Sequence, residues 1–318
     1  MYKNIYPLTD NIDFTASTTK NVDIPKSGYI TELNFLFTIR VTAAGGASAN
    51  EDPIARLINA ARLTASGAKN YFDISDGRQW YYWQFFNYEG QISGDALPTA
   101  GSSSDVTLAL KIHWGLDPYV DTDRTIILPS PELQNIKMEI DWGAASALGT
   151  GYTIDATNSK AEISVTELAL EAGELRESVW PSLLSPRFEA RELSITATAS
   201  NLGKTDDVPV GDILYQTTTL ILNNSGNRTD ANVTEVGVKF PKERRTPFKR
   251  RFSDMKAYSR TKFRTTSSVT GAFMFPWEVL TDKEKGIDLR GAQVGDVQAA
   301  YTVAVGSGTI HNLHYAFG

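Results

Sequence analysis

The segment Val106-Thr107-Leu108-Ala109-Leu110-Lys111-Ile112-His113-Trp114 decides the fold class. Val106, Leu108, Leu110, Ile112 and Trp114 fall on one side of an extended chain, and Thr107, Ala109, Lys111 and His113 on the other. A repeat of two is that of a β-strand with one face buried and one face wet. The alternation recurs on either side: Phe35, Phe37, Ile39 and Val41 upstream, then Ile136, Met138, Ile140 and Trp142, then Leu193, Ile195, Ala197 and Ala199, then Tyr301, Val303 and Val305. Turn-rich loops at 43–50, 94–104, 144–151 and 223–230 separate the runs. The chain therefore reads as all-β.

Two stretches break the pattern and predict helices. Asp76 can cap a helix over Gly77 to Tyr88, with Gln79 at its third position and Gly90 just past its end. Trp80, Tyr81, Tyr82, Trp83, Phe85, Phe86 and Tyr88 cover nearly every side of it, which suits burial between layers or subunits. After Pro247, Phe248, Phe252 and Met255 fall at i, i+4 and i+7 with Lys249, Arg250, Arg251 and Lys256 between them, predicting a basic amphipathic helix. Asp52 to Leu63 stays open between helix and strand: Ile54, Leu57, Ile58 and Ala61 have helical spacing, while a strand could begin near Arg62.

A length of 318 residues favours two domains. The order of elements repeats: a long strand, a further apolar segment, a helix, and then a series of strands closing the half, first over 29–170 and again over 213–317. Two related eight-stranded sandwiches follow, residues 1–178 and 179–318, joined through a linker at Gly173 to Arg187 that holds Pro181 and Pro186.

Cysteine is absent, which excludes disulfide frameworks, thiolate zinc sites and cysteine nucleophiles. Met1 to Ser17 has no apolar run of the secretory kind, and no stretch approaches 18 apolar residues, so neither conventional secretion nor a spanning helix is expected. The net charge of −6 is unevenly spread. Lys239 to Arg264 holds eleven Lys or Arg against Glu243 and Asp254, a local +9; the remaining 20 basic and 35 acidic residues leave −15 elsewhere. A basic patch on an acidic body can bind copies of itself, a phosphate-bearing partner or its own acidic surface.

With these elements in order, the chain resembles the double jelly-roll major capsid proteins of the adenovirus-like lineage, found in tailless icosahedral viruses of bacteria and archaea. The resemblance is carried by Ile24-Pro25-Lys26-Ser27-Gly28-Tyr29-Ile30 leading into the first long strand, by Ala55-Arg56-Leu57-Ile58-Asn59-Ala60-Ala61-Arg62-Leu63, by the Asp76 to Gly90 helix and by the tandem repeat, over Val22 to Gly318. It implies two jelly rolls, each with a short helix, in a homotrimer that forms pseudo-hexagonal capsomers. It also implies neighbouring capsomers, penton and minor capsid proteins as partners, an internal lipid membrane as a further contact, and a virion location after assembly in the host cytoplasm. No enzyme activity, cofactor or sequence-specific nucleic acid belongs to that picture.

The basic window is the foremost candidate surface. Phe248 and Phe252 would anchor it, and Arg244, Arg245, Lys249, Arg250 and Arg251 would face acids of neighbouring capsomers, lipid head groups or the packaged genome; the plain alternative is a solvated helix face. Trp80, Trp83 and Phe86 are assigned to core or subunit interface, since a sugar-stacking surface would need only one side of the helix.

Other constellations read as structural. His311 and His314, with His113, suggest a metal site, but positions three apart on a strand point to opposite faces, so no metal is expected. Asp117, Asp121 and Asp123 lack the glycine spacing of a calcium loop. Sequons at Asn223, Asn227 and Asn232 mark a polar loop. Asp141 and Glu167 are acids that a glycosidase could use, with nothing in the sequence to place them together. The rival function is accordingly a carbohydrate-binding or glycoside-cleaving β-sandwich protein, suggested by the aromatic content and opposed by the lack of a leader-like run.

Overall fold

Alternating strands with one apolar face must bury that face against a second sheet, and the chain does this twice. The computed structural model describes residues 2–66, 69–115, 126–180, 184–281 and 286–318. Its contacts divide into two units, Met1–Gln84 with Gln91–Pro186, and Phe85–Gly90 with Arg187–Gly318.

The strands of the first unit are β1 (Tyr2–Pro7), β2 (Ile12–Asp13), β3 (Thr19–Asp23), β4 (Tyr29–Ala49), β5 (Ile58–Ala65), β6 (Lys69–Ile74), β7 (Ser103–His113), β8 (Lys137–Trp142) and β9 (Gly149–Ala169). They make two antiparallel sheets, β1-β9-β4-β7 with β2 also on β9, and β3-β8-β5-β6. Those of the second are β10 (Pro186–Ile195), β11 (Ala199–Asp207), β12 (Ile213–Leu222), β13 (Val233–Phe240), β14 (Arg245–Arg251), β15 (Ala272–Pro276), β16 (Ile287–Asp288), β17 (Gln298–Val303) and β18 (Gly308–Phe317). Their sheets run β10-β18-β12-β15, with β16 on β12, and β11-β17-β13-β14.

Matching β1 and β2 with β10, β3 with β11, β4 with β12, β5 with β13, β6 with β14, β7 with β15, β8 with β17 and β9 with β18 makes the four-strand paths of the sheets identical, with β16 outside the match. Each unit is an eight-stranded jelly roll. Four α-helices accompany the described strands: α1 (Pro53–Arg56), α2 (Gly77–Asn87), α3 (Arg176–Val179) and α4 (Phe252–Lys262). α2 lies between β6 and β7, and α4 between β14 and β15, so the helix occupies the same slot in both copies. Among the described residues no helix is long and apolar enough to cross a membrane.

The alternation in the sequence becomes the cores. In β7, Val106, Leu108, Leu110 and Ile112 are buried, and they face the partner strand β4 in register, with Phe35 opposite Leu110 and Phe37 opposite Leu108. Each such side chain contributes about 1.5–3 kcal/mol on burial. In the second unit, Val236, Val238, Phe273, Phe275 and Tyr301 belong to one cluster with Phe248 and Met255.

The turn-rich loop expected at 43–50 is instead the end of β4, which runs to Ala49, and three further sequence readings need correction. The predicted basic helix from Pro247 is a strand first: Arg245–Arg251 form β14, and the helix starts only at Phe252. A turn in which Glu243 and Arg244 donate their N–H groups to Phe240 and Pro241 folds β13 back on β14. Phe248 then faces Val238 and stacks edge-on against Phe275, with ring centroids 4.9 Å apart. One apolar residue among cations carries no period, so the spacing to Phe252 imitated a helix. Pro247 is tolerated because β14 is an edge strand and the register slips between Val238 and Phe240, leaving one extra residue beside it.

In the segment 52–63, which the sequence left open, α1 lasts four residues and strand begins at Ile58 rather than near Arg62. The run Leu193 to Ala199 is two strands, β10 ending at Ile195 and β11 starting at Ala199.

Candidate functional site

The helix slot is where the two jelly rolls differ most in chemistry. α2 begins as its sequence predicts. The Asp76 carboxylate accepts the Arg78 N–H at 2.9 Å, and the Gln79 side chain reaches back to the N–H of Asp76 at 3.2 Å, a reciprocal cap. Gly77 is needed there, since a Cβ would stand 2.3 Å from the Ala55 carbonyl oxygen. Arg78, 3% exposed, forms a two-pronged pair with Asp76 at 3.0 and 2.6 Å. At the far end Gly90, with φ +83°, donates to the Phe85 carbonyl at 2.7 Å.

Trp80, Trp83 and Phe86 are all buried. Trp80 packs edge-on against Phe35, Phe37 and Phe72 at centroid distances of 4.9, 5.9 and 5.0 Å. Phe86 lies 6.1 Å from the Phe263 ring. These aromatic faces are turned into protein, away from any sugar.

α2 also closes a sheet edge. β7 is the last strand of its sheet, and its outward backbone groups meet the helix: Trp80 Nε1 donates to Lys111 O at 2.8 Å, Gln84 Nε2 donates to Ala109 O at 3.2 Å, and Lys111 N donates to Gln84 Oε1 at 2.7 Å. α4 plays the same part for β15, the corresponding edge, where the Met274 N–H donates to the buried Ser259 hydroxyl at 3.0 Å.

The outer side of α4 and the neighbouring β14 carry the basic window. Phe248, Phe252, Met255 and Ser259 point inward, while Arg244, Arg245, Lys249, Arg250 and Arg251 are exposed. Some of the charge is already neutralised. Lys242 pairs with Asp296 at 2.7 Å, Lys249 with Glu235 at 3.0 Å and Arg264 with Glu89 at 3.5 Å, and Arg245, Lys256 and Lys262 pair with Glu243, Asp230 and Glu278. Among the described residues Arg244, Arg250, Arg251 and Arg260 make no ion pair. Arg250 instead lies over Tyr258 and Phe248, 4.9 and 5.4 Å from the ring centroids. Cations and a proline on the edge strand β14 also discourage another strand from adding to it.

His314 Nδ1 is 2.8 Å from the Thr217 hydroxyl, and His311 Nε2 is 3.0 Å from Thr309; among the described residues no cluster of three metal-ligating side chains occurs. Asn312, missed by sequence reading, centres a buried polar network: it accepts from Tyr301 and Thr219 at 2.8 Å each and donates to Asp206 at 2.7 Å. A buried Asn within a strand leaves no periodic signal. Asp141 is in β8 and Glu167 in β9, on different sheets, and Glu167 is engaged by Asn4, Tyr6 and Ser27 at 3.2, 3.0 and 2.8 Å. Asn232 is buried, its amide donating to Leu222 O and Ser307 O. Asp117, Asp121 and Asp123 lie outside the described residues.

No family model and no curated protein matches the sequence. Solved structures do match the fold. The STIV MCP crystal structure shares 14% identity and a TM-score of 0.82 over 100% of this chain and 97% of its own. An atomic structure of Sulfolobus Turreted Icosahedral Virus shares 16% identity and a TM-score of 0.81 over 99% of this chain and 90% of its own. The PBCV-1 virus capsid shares 10% identity and a TM-score of 0.62 over 100% and 94%. The chain thus has the double jelly-roll fold of viral major capsid proteins, over its whole length.

Proposed function

We propose that this chain is the major structural protein of an icosahedral virion shell and works as a homotrimer, not as an enzyme. The observation that carries this reading is the repeated sheet order, two jelly rolls with a helix in the same slot, shared end to end with solved capsid chains. A chain with two like lobes that associates in threes presents six lobes, and one polypeptide can then tile a closed surface through many repeated weak contacts.

In this reading the exposed cations of β14, with Arg244 and Arg245 at its turn, form a contact face between capsomers, and Phe248 and Phe252 hold that face on the core. Neighbouring capsomers, penton and minor capsid proteins and an underlying lipid membrane are the partners the role calls for, and host cytoplasm is the place of assembly.

The test is the solution mass and electron micrographs of the purified chain. A stable trimer forming hexagonal lattices or particles is expected. Neutralising Lys249, Arg250 and Arg251 together to Gln should leave the trimer folded and sharply reduce lattice or particle yield. A monomer that binds glycans would overturn the shell role; normal particle yield from the triple variant would remove β14 from it.

A further inference from the structure

Beyond β14, the C-terminal end of α4 carries a second basic feature. A cleft of about 420 Å³ opens there, lined by Ala257, Arg260, Thr261, Arg264, Thr265 and Ser268. No carboxylate lines it. Arg260 makes no ion pair among the described residues, and Arg264 has a single long contact, 3.5 Å to the half-buried Glu89.

The backbone supplies an independent observation. α4 closes with the Thr265 N–H donating to Arg260 O at 3.1 Å and the Arg264 N–H donating to Thr261 O at 3.4 Å. This two-bond closure places one residue in the left-handed region, where glycine is favoured because a Cβ crowds the carbonyl oxygen. Here that residue is Arg264, with φ +52°. An arginine held against its backbone preference, beside a cleft that its neighbour Arg260 also lines, points to a role for the side chain.

We infer that this cleft is a binding site for a phosphate group. Two guanidinium groups offer forked donors matched to phosphate oxygens. Ser268, which lines the cleft, donates neither its hydroxyl nor its N–H to any group among the described residues, which leaves both for the remaining oxygens of a tetrahedral anion. The negative end of the helix opposes an anion with about half a charge, and the two arginines exceed it. The site does not rest on the shell role.

Titration of the full chain with inorganic phosphate at low ionic strength, followed by calorimetry, tests it. Saturable binding is expected. Arg264→Gly should weaken it at least tenfold while raising the thermal midpoint, because glycine suits the left-handed position; Arg260→Gln should weaken it similarly, and Glu89→Gln, which frees Arg264, should tighten it. Capture by phosphatidylglycerol vesicles, lost in both arginine variants, would assign the phosphate to a lipid head group. Phosphate binding without vesicle capture would assign it to a free phosphate. Absence of saturable binding, equal binding of acetate, or unchanged affinity in the folded Arg264→Gly and Arg260→Gln variants would overturn the proposal.

Discussion

α2 and α4 hold the same place in two copies of one topology, and they differ in which side of the helix the chain uses. α2 is capped at both ends, carries a buried Asp76–Arg78 pair and turns its aromatic rings inward. α4 starts directly from a strand with Arg251 as its N-cap and no side-chain cap, buries only Phe252, Met255 and Ser259, and presents cations to solvent. What both share is the sheet edge that the helix covers: Trp80 and Gln84 satisfy β7, and Ser259 satisfies β15. The fold requires the covering of that edge, and the rest of the helix is free to become core in one copy and surface in the other.

The largest effect that tests this contrast is expected at Trp80. Trp80→Ala removes a fully buried ring from contact with Phe35, Phe37 and Phe72 and should cost about 3–5 kcal/mol in denaturant unfolding. Met255→Ala in α4 should cost about 2–3 kcal/mol, its smaller side chain having less to lose. Equal losses would mean that the two helices contribute alike.

Acid sensitivity should also separate the copies. Burial pushes the Glu32 carboxyl up, but His113, Lys111 and the amide of Asn34 outweigh it and bring it down to about 2. Asn34 donates at 2.6 Å, Lys111 Nζ stands at 3.6 Å and His113 Nδ1 at 3.7 Å. A depressed carboxyl contributes stability that is complete above its unfolded value of 4.5 and is lost as pH falls toward 2. That contribution is on the order of 2–3 kcal/mol. Glu32→Gln should flatten the stability curve between those two pH values, as followed by circular dichroism. The corresponding pair β12 and β15 contains no carboxylate. An unchanged acid limb in Glu32→Gln would show that the charge cluster on β4 and β7 is not what acid attacks.

The smallest of these effects concerns the edges. Gln84→Ala leaves two backbone groups of β7 without their side-chain partners and should cost about 2 kcal/mol, whereas Ser259→Ala leaves one on β15 and should cost about 1 kcal/mol. Hydrogen exchange at Lys111 and Met274 reports each edge directly. Protection that survives in both variants would remove edge covering as the shared role of the slot.

Much of this was legible in the residues. Val106 to Trp114 and Phe35 to Val41 show their alternation because each strand has one face in a core, and period-two burial is written directly into side-chain polarity. Asp76, Gln79 and Gly90 announced α2 because caps act within one turn of the chain. β14 was misread because its partner strand, its bulge and the pocket that Phe248 fills lie elsewhere in the sequence. The basic window was visible as charge; which of its cations are free was not, since their partners, such as Glu89, Asp230, Glu235 and Asp296, are distant along the chain.

Local chemistry alone thus determined the strands with alternating faces, the first helix, the duplication and the place of the positive charge, because each depends on neighbours within a few residues. Sheet order, the strand identity of β14, the covering of β7 and β15 and the pairing of the cations were decided only by tertiary structure. Each of these joins residues far apart in sequence, and their hydrogen bonds and ion pairs exist only once the sandwich has closed.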